Sequence, residues 1–282
     1  MNEFDRRQFL AGAVATAATA TPVTKADAAR PGSRDGSLQD PDSLYRHYRR
    51  IRFADHEQVF FWWLRGRRFG FVDQRMTPFF TMHVGSMHRC RNLGEGRYEV
   101  ATAAAIYFTD LARGELLETW ANPITGRSVR FNYPAPSRAV TVYSESTGLL
   151  SEPTMPGARV ERRHEVAPLQ VVGPDAWLTE ESYLQLHRDA DGSSMRVQDM
   201  YTFTSPVAAL RDARLRFVPA VEQFNDYNDW SPRFEMGDRP GSSVARCAGR
   251  KVATLTEMPD EWLRLARRVH PEAIRDPART LG

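Results

Sequence analysis

Apolar and polar residues alternate along most of this chain with a period of two. The clearest case is the segment 77–91, in which Phe80, Met82 and Val84 alternate with polar or small residues. Successive side chains of a β-strand point to opposite faces, so this alternation gives a strand one apolar and one polar face. The pattern therefore predicts a protein built mainly of half-buried β-strands.

Turn signals divide this pattern into about a dozen strands at the spacing of hairpins. Turns are predicted at Gly66, 94–96, 110–114, 122–126, 192–194 and Gly249. The predicted strands are 58–65, 67–72, 77–91, 97–109, 115–120, 128–131, 138–144, 158–166, 176–187, 195–203, 215–221, 242–247 and 250–254.

Helical spacing occurs only near the two ends of the strand pattern. After Asp42, which can cap a helix, Leu44, Tyr48 and Ile51 fall on one helical face. A second helix is predicted over 259–270, because it begins with Pro-Asp-Glu and is followed by a proline.

Strands and helices do not alternate along the chain, as they would in a parallel sheet. The simplest fold is a single mainly β domain over residues 42–282. We predict an antiparallel, closed or nearly closed, lipocalin-like barrel with short flanking helices. A sheet of this size encloses an interior that side chains fill or that a small ligand occupies.

Residues 1–28 have the layout of a twin-arginine signal peptide. Arg6 and Arg7 precede a mildly apolar, alanine-rich run, and Ala-Asp-Ala at 26–28 matches a cleavage pattern. The run is too short and too weakly apolar to span a bilayer permanently. Residues 29–41 are predicted to be a disordered leader. We therefore expect a periplasmic or secreted protein with no stable membrane insertion after signal removal.

Charge and cysteine content mainly exclude certain classes of protein. The 38 Lys and Arg residues are nearly balanced by 35 Asp and Glu residues, which leaves a formal net charge of +3. The basic residues form scattered pairs rather than a patch, so nucleic-acid binding is not expected. Only two cysteines are present, which excludes a disulfide-dense scaffold. Whether Cys90 and Cys247 form a bridge stays open at this level.

The segment 225–241 is the strongest candidate for a functional site. It combines acids, arginines, aromatic residues and asparagines with prolines and glycines that break regular structure. Two glycines flank Asp238 and Arg239, a pair that can place an acid or bind a polar ligand group. Together with Tyr227 they are the predicted catalytic residues. The alternative is a structural salt bridge that closes the loop.

Aromatic and polar residues of this segment and of three other regions are predicted to line a ligand pocket inside the barrel. Large rings in a loop are expected to fold over an apolar surface rather than to stay in water. The alternative is that the rings plug the end of the barrel. The predicted ligand-binding residues are Trp63, His83, Trp120, Asn122, Trp230, Phe234 and Met236.

The spacing of histidine and cysteine argues against a metal centre. His83, His88 and Cys90 are the first candidate ligands, with His164 or His187 to complete the set. Five residues separate His83 from His88, however, so on a flat strand the two side chains point to opposite faces. We therefore expect no stoichiometric metal.

Two motifs resemble those of DUF1838, a family of exported bacterial and fungal proteins without an agreed function. One is Trp-Ala-Asn-Pro-Ile-Thr-Gly at 120–126, and the other is Trp-Ser-Pro-Arg-Phe-Glu-Met-Gly-Asp-Arg-Pro-Gly at 230–241. The resemblance extends from about Phe61 to Pro271. Many relatives carry a histidine after the first motif, where this chain reads Phe-Asn-Tyr-Pro at 131–134. The resemblance implies export but no reaction.

The sequence predicts an exported protein that holds a small apolar or aromatic organic molecule. Placed acids and bases in a dry pocket are enough for isomerase, cyclase or lyase chemistry without a cofactor. A serine hydrolase or a zinc protease is disfavoured, because the sequence lacks the Gly-x-Ser-x-Gly and His-Glu-x-x-His motifs. The alternatives are a non-catalytic carrier with the same pocket and a structural cell-envelope protein with a filled barrel.

Overall fold

A curled antiparallel sheet dominates the protein. The computed structural model describes residues 38–151, 158–188 and 192–282. The strands are β1 (Phe60–Val72), β2 (Arg75–Gly94), β3 (Arg97–Thr109), β4 (Thr119–Ala121), β5 (Ser128–Arg130), β6 (Ser137–Ser144), β7 (Gly148–Ser151), β8 (Ala158–Val166), β9 (Gln170–Val172), β10 (Asp175–Arg188), β11 (Ser194–Pro206), β12 (Val221–Asn228) and β13 (Ser242–Val252). The helices are α1 (Leu44–Arg52), α2 (Val207–Arg211), α3 (Asp260–Val269), α4 (Pro271–Arg275) and α5 (Pro277–Leu281).

The main sheet is a strongly curled half-barrel. Its strand order is β7-β6-β3-β2-β1-β13-β12-β11-β10-β8, with β9 paired to β10, and β4 and β5 form a separate pair. Neighbouring strands are antiparallel. Within the described residues β7 and β8 do not pair with each other, so the sheet is open along one side. These features confirm the predicted mainly β, nearly closed antiparallel barrel with short helices.

The sheet separates two hydrophobic cores, because side chains alternate between its faces. The larger core lies on the concave inner face and includes Trp62, Phe80 and Phe203. The smaller core lies on the outer face of β1 to β3, where α3 contributes Trp262 and Leu265. The curvature of the sheet therefore creates an interior, and the C-terminal helices cover part of its outside.

Helix α1 lies across the open side of the half-barrel. The ring of Tyr48 has its centroid 6.0 Å from that of Tyr143 on β6 and 6.3 Å from that of His164 on β8. One side chain of the helix therefore contacts strands near both edges of the sheet. Tyr48 and Ile51 are fully buried, as the predicted apolar face requires.

Two side chains of the sheet hold the C-terminus of α1. An α-helix leaves its last four carbonyl groups without partners inside the helix, here those of residues 50–53. Lys251 Nζ on β13 donates to three of these oxygens at 2.6 to 2.9 Å. Trp62 Nε1 donates to the fourth, that of Arg52, at 2.8 Å. All four carbonyls are thus satisfied, and the side chain of Arg52 is held inside the barrel.

Two predicted hairpins are wrong, because β1 and β13 continue through Gly66 and Gly249. A Cβ atom at Gly66 would lie 1.9 Å from the carbonyl oxygen of Arg246, and one at Gly249 would lie 1.7 Å from that of Trp63. Each glycine permits a close approach of two paired backbones and does not form a turn. The turn after β1 lies instead at residues 73–74, which both have positive φ.

The predicted strand 215–221 is wrong, and so is the start of the predicted loop 225–241. The residues before β12 are irregular, and β12 itself pairs with β11 and β13 up to the true start of the loop. Its inward-facing side chains are Glu222, Phe224 and Asp226. The two carboxylates interrupt the apolar alternation that marks the other strands, which explains the error.

The N-terminal predictions fall mostly outside the described residues. The predicted signal peptide at 1–28 lies wholly outside them, as does the leader up to residue 37. Residues 38–41, at the end of the predicted leader, are described: Leu38 is buried in the inner core, and Asp40 accepts a hydrogen bond from the Asp42 amide at 3.1 Å. In the part of the chain that the structure describes, no helix combines the length and apolarity needed to cross a membrane.

Candidate functional site

The concave face of the half-barrel contains a partly enclosed cavity of about 70 Å³. Apolar side chains of β1, β2, β3 and β12 form most of its wall. Six large polar side chains also reach it, from α1 and four strands. They are Arg52, Arg68, His88, Tyr201, Glu222 and Asp226. A mainly apolar pocket on which a few polar groups converge is typical of small-molecule sites.

Glu222 is the titratable group best placed for chemistry in this cavity. Its side chain projects inward from β12 and is only 6% exposed. Burial raises the pKa of Glu222 to about 7, although the positive charge of Arg52 opposes the shift. A carboxyl group that titrates near neutral pH can both accept and donate a proton efficiently.

Arg52 places a positive charge beside Glu222. Its guanidinium lies 4.8 to 5.9 Å from the centroids of four aromatic rings and forms an ion pair with Glu180 on β10. The other oxygen of Glu180 is 3.0 Å from His164 Nε2. Burial, assisted by Arg52, lowers the pKa of His164 to about 4, so this imidazole is neutral at neutral pH. The cluster therefore holds a charged, rigid guanidinium at the cavity wall.

Two carboxyl groups face each other across β11 and β12. Asp199 and Asp226 are direct register partners, and both are at most 2% exposed. Asp226 Oδ1 accepts hydrogen bonds from Arg68 Nη1 and from the Ala245 amide, both at 2.6 Å. Burial, and then the charge of Asp226, raises the pKa of Asp199 well above its ordinary value. Burial therefore favours the protonated form of Asp199, while Arg68 pairs with Asp226.

His83 and His88 lie on opposite faces of β2, as their spacing predicts. His88 faces inward, with Nε2 2.7 Å from Ser86 Oγ and Nδ1 3.1 Å from Thr102 Oγ1, and burial lowers its pKa to about 3. His83 faces outward, with Nε2 3.0 Å from Thr109 Oγ1. Among the residues with described positions, no three His, Cys, Asp or Glu side chains are grouped to hold a metal ion. The metal content of the purified protein stays a prediction.

The two cysteines are buried, unpaired thiols. Cys247 on β13 lies opposite Gly66 on β1, which lies opposite Met82 on β2. Met82 and Cys90 are eight residues apart on β2, or roughly 26 Å at about 3.3 Å per residue. A disulfide requires Cα atoms within about 7 Å of each other. The bridge that the sequence left open is therefore not formed.

Trp120 and Phe234 belong to an aromatic cluster at one end of the barrel. The ring centroid of Trp120 lies 4.8 Å from that of Phe79, 5.4 Å from that of Phe80 and 6.0 Å from that of Phe234. All four side chains are buried. They pack against one another and do not surround open space. This arrangement fits the alternative that the rings plug the end of the barrel.

Asn122 links the two loops that carry this cluster. Its Nδ2 donates to the Phe234 carbonyl oxygen at 2.8 Å and lies 3.2 Å from Met236 Sδ. Its Oδ1 accepts from the amides of Ile124 at 2.9 Å and Thr125 at 3.3 Å. The side chain is 1% exposed. Asn122 therefore both closes its own turn and fixes the loop after β12.

The three predicted catalytic residues lie on the surface. Asp238 and Arg239 are exposed, and Tyr227 is 46% exposed on the outer side of β12. The backbone carbonyl of Arg239 accepts a hydrogen bond from Trp230 Nε1 at 2.9 Å, which ties the loop to itself. None of these residues lines the interior cavity. Their catalytic role stays a prediction, and the structure does not bring them to the chemistry of Glu222.

Trp63 and His83 are also outside the barrel interior. Both project from the outer face of the sheet toward Glu261 and Trp262 of α3, and together these four residues border a second cavity. The predicted ligand-binding residues are therefore divided between the plugged barrel end and the outer surface under α3. The expectation that they line one pocket inside the barrel is wrong, because Trp63 and His83 lie on the outer face of β1 and β2.

The relationship to known proteins follows from the sequence itself. The family model described as "Protein of unknown function (DUF1838)" matches residues 56–281, which is most of the chain. The chain belongs to the DUF1838 family. No curated protein and no solved structure matches it.

In this DUF1838 protein the two motifs contact each other. The turn at 120–126 is joined to the loop at 230–241 through Asn122, and the rings of Trp120 and Phe234 pack together. The motifs therefore build one end of the barrel. The titratable groups that can act on a ligand lie deeper in the interior, on strands that the motifs do not include.

The residues around the cavity were missed from the sequence. Their signal is a charged residue at an inward position of an otherwise apolar strand face, as with Arg68 on β1 and Glu222 and Asp226 on β12. A charged side chain on a buried face is costly unless it has a partner or a function. Correct placement of β12 would have exposed this pattern.

Proposed function

We propose that the interior cavity of this DUF1838 protein binds the reactive end of a small organic molecule and performs acid–base chemistry on it without a redox cofactor. The observation that carries the proposal is Glu222, a buried carboxyl group that faces the cavity and whose pKa lies near 7. Isomerisation or elimination next to a carbonyl group is the reaction class that such a residue fits.

Each polar group has a distinct role in this proposal. Glu222 removes a proton from the carbon next to the carbonyl and returns a proton to the product or to the leaving group. Arg52 stabilises the negative charge that develops on the carbonyl oxygen, because its guanidinium is already in place and shielded from water. Tyr201 borders the same cavity, and its phenol group, which donates to Asp199 Oδ2 at 3.3 Å, forms part of the polar wall beside the substrate.

The size of the cavity limits what it accepts. A cavity of about 150 Å³ can hold benzene, and this one is about 70 Å³. The reacting end of the substrate is therefore smaller than a benzene ring. Apolar side chains such as Leu64 and Val84 favour an uncharged hydrocarbon next to the carbonyl group.

A non-catalytic carrier is the second candidate, because most of the cavity wall is apolar. A carrier needs the same enclosed surface, but it does not need a titratable group whose pKa lies near neutral pH. The aromatic plug at the barrel end supports a third possibility, a structural protein with a filled interior.

Hydrogen–deuterium exchange tests the enzymatic proposal even while the complete substrate is unidentified. Small ketones, aldehydes and oxo acids are incubated with the protein in D₂O, and loss of the proton next to the carbonyl is followed by NMR. We expect at least one compound to exchange faster with the protein present. Glu222→Gln is expected to slow this exchange by about 100-fold or more, because its amide cannot accept the proton.

Glu181→Gln is the matched control. Glu181 is exposed on β10, so the variant makes the same chemical change outside the cavity. Its exchange rate should equal that of the wild type. Equal exchange in Glu222→Gln and wild type would contradict the role of Glu222. Binding of a compound with no exchange of any proton would favour the carrier.

We also propose that the protein acts outside the cytoplasm, in the periplasm or the medium. The support is the paired Arg6 and Arg7 before an alanine-rich run and a cleavage pattern at 26–28. A site of action outside the cytoplasm agrees with chemistry that depends on placed acids and bases alone.

A further inference from the structure

A second and larger cavity lies on the outer face of the sheet. It has a volume of about 190 Å³ and is enclosed by β1, β2 and the start of α3. Trp63, His83, Glu261 and Trp262 supply its large side chains. The side chains of Trp62 and Arg68 on β1 border the interior cavity instead, whereas Leu64 borders both cavities. The two cavities are therefore separated by the thickness of the sheet.

Gly85 makes room for the wall of this outer cavity. A Cβ atom at Gly85 would lie 2.2 to 2.4 Å from the indole ring of Trp262, so the ring lies directly on the strand backbone. Tyr107 packs beside it, with ring centroids 5.9 Å apart. These contacts fix the position of Trp262, which is only 3% exposed.

Two indole N–H groups at this cavity have no acceptor. Trp63 Nε1 and Trp262 Nε1 are both buried, and neither has a hydrogen-bond partner among the residues that the structure describes. Buried donors nearly always have partners, because an unpaired one loses its bond to water without replacement. An occupant of the cavity that carries a hydrogen-bond acceptor would satisfy them.

The charges around the cavity favour an uncharged occupant. Glu261 Oε1 lies 3.7 Å from His83 Nε2, and Glu261 Oε2 lies 3.6 Å from Arg65 Nε. The carboxylate disfavours an anion, while Arg65 and the nearby Arg264 disfavour a cation. Burial lowers the pKa of His83, so its imidazole adds no charge at neutral pH.

We propose that this outer cavity binds a neutral, single-ring aromatic molecule that carries a hydrogen-bond acceptor, such as a carbonyl oxygen or a ring nitrogen. A ring of this size fits, because about 150 Å³ is enough for benzene and the cavity has about 190 Å³. The two indoles and Pro259 provide flat apolar surface for the ring. The acceptor atom pairs with the indole N–H of Trp63 or Trp262.

This site does not depend on the proposed chemistry of Glu222. Leu64 and Val84 border both cavities, but the polar and aromatic residues of the two cavities are different, so either proposal can fail while the other holds. A bound aromatic molecule here would also contact the first turn of α3, which closes over the outer core.

Benzamide is the probe. Three other single-ring compounds serve for comparison: toluene lacks the acceptor, benzoate carries a negative charge and benzylamine carries a positive charge. The chain has six tryptophans, so the indole N–H signals of ¹⁵N-labelled protein can be followed one by one by NMR. Benzamide is expected to shift two of them, which are assigned by their loss in Trp63→Phe and Trp262→Phe. Affinity for the other three probes should be at least ten-fold weaker.

At least one of the variants Trp63→Phe and Trp262→Phe should bind benzamide ten-fold or more weakly, because each keeps a ring and removes one N–H donor. Trp177→Phe is the control, since Trp177 is 44% exposed on β10, and it should bind like the wild type. Toluene binding as tightly as benzamide would overturn the assignment of an acceptor. Shifts confined to other tryptophans would overturn the site. The absence of any shift at saturating benzamide would overturn it on the wild-type spectrum alone, even if a variant fails to fold.

Discussion

The buried carboxyl group of Glu222 couples the stability of the fold to pH. Its pKa is about 7 in the folded protein, whereas an unfolded chain leaves a Glu near its ordinary value of about 4.3. Between these two values the folded state binds more protons, so the free energy of unfolding falls as pH rises from about 4 to about 7. Above the folded pKa the full cost is present, on the order of 3 kcal/mol.

Glu222→Gln should therefore raise the melting temperature at pH 8, because it removes a buried charge. At pH 5 the wild-type side chain is mostly protonated, so the variant and the wild type should melt at nearly the same temperature. Circular dichroism melts at both pH values measure the difference. A lower melting temperature for the variant at pH 8 would show that the ionised carboxylate stabilises the fold instead.

At the scale of elements, the loop after β12 owes its position to Asn122 rather than to its own charged pair. Asn122→Ala removes a buried side chain that joins two loops and leaves the Phe234 carbonyl and two turn amides without partners. We expect a loss of about 2–3 kcal/mol in the free energy of unfolding. Urea denaturation of the variant and the wild type gives this value directly.

Asp238→Asn is the companion change in the same loop, and it should alter stability by no more than about 0.5 kcal/mol, because Asp238 is exposed. If Asp238→Asn lowered the free energy of unfolding as much as Asn122→Ala, a salt bridge between Asp238 and Arg239 would be what stabilises the loop. The hydrogen bonds of Asn122 would then be the weaker constraint.

The elements that the sequence predicted best are those bounded by segments that contain proline or glycine. β3 and β8 have the predicted bounds, and α3 begins and ends between the predicted prolines. Gly66 and Gly249 misled the prediction, because a glycine signals both a turn and a close approach of backbones. Only the pairing of β1 with β13 separates the two meanings.

At the scale of the whole molecule, the interior site is assembled from distant parts of the chain. Arg52 comes from α1, Tyr201 from β11 and Glu222 from β12, and these converge only because the sheet curls around the helix. Local alternation in the sequence predicts the fold class, but the order of strands is not a local property. The sequence therefore favoured a compact loop as the site, because its candidate residues are neighbours along the chain.

Export is a prediction for the whole molecule as well. Replacement of Arg6 and Arg7 together by Lys should leave unprocessed protein in the cytoplasm, because the paired arginines are the feature on which this signal depends. Cell fractionation with an antibody against the folded domain measures the distribution. Arg34→Lys, outside the motif, should be exported normally. Normal processing of the double variant would reject the twin-arginine route.

The hydrogen bonds from Lys251 to the end of α1 have a consequence for the order in which the protein folds. Lys251 Nζ and the carbonyl oxygen of Ile51 are bonded, yet 200 residues separate them in the chain. During synthesis the helix leaves the ribosome long before β13 does, and until then the carbonyl groups of residues 50, 51 and 53 lack their partner Lys251. Contacts so distant in sequence form late and slow folding. Helix α1 is thus fully held only once β13 has been made, and a chain that stops short of Lys251 lacks the donor for three of its last four carbonyl groups.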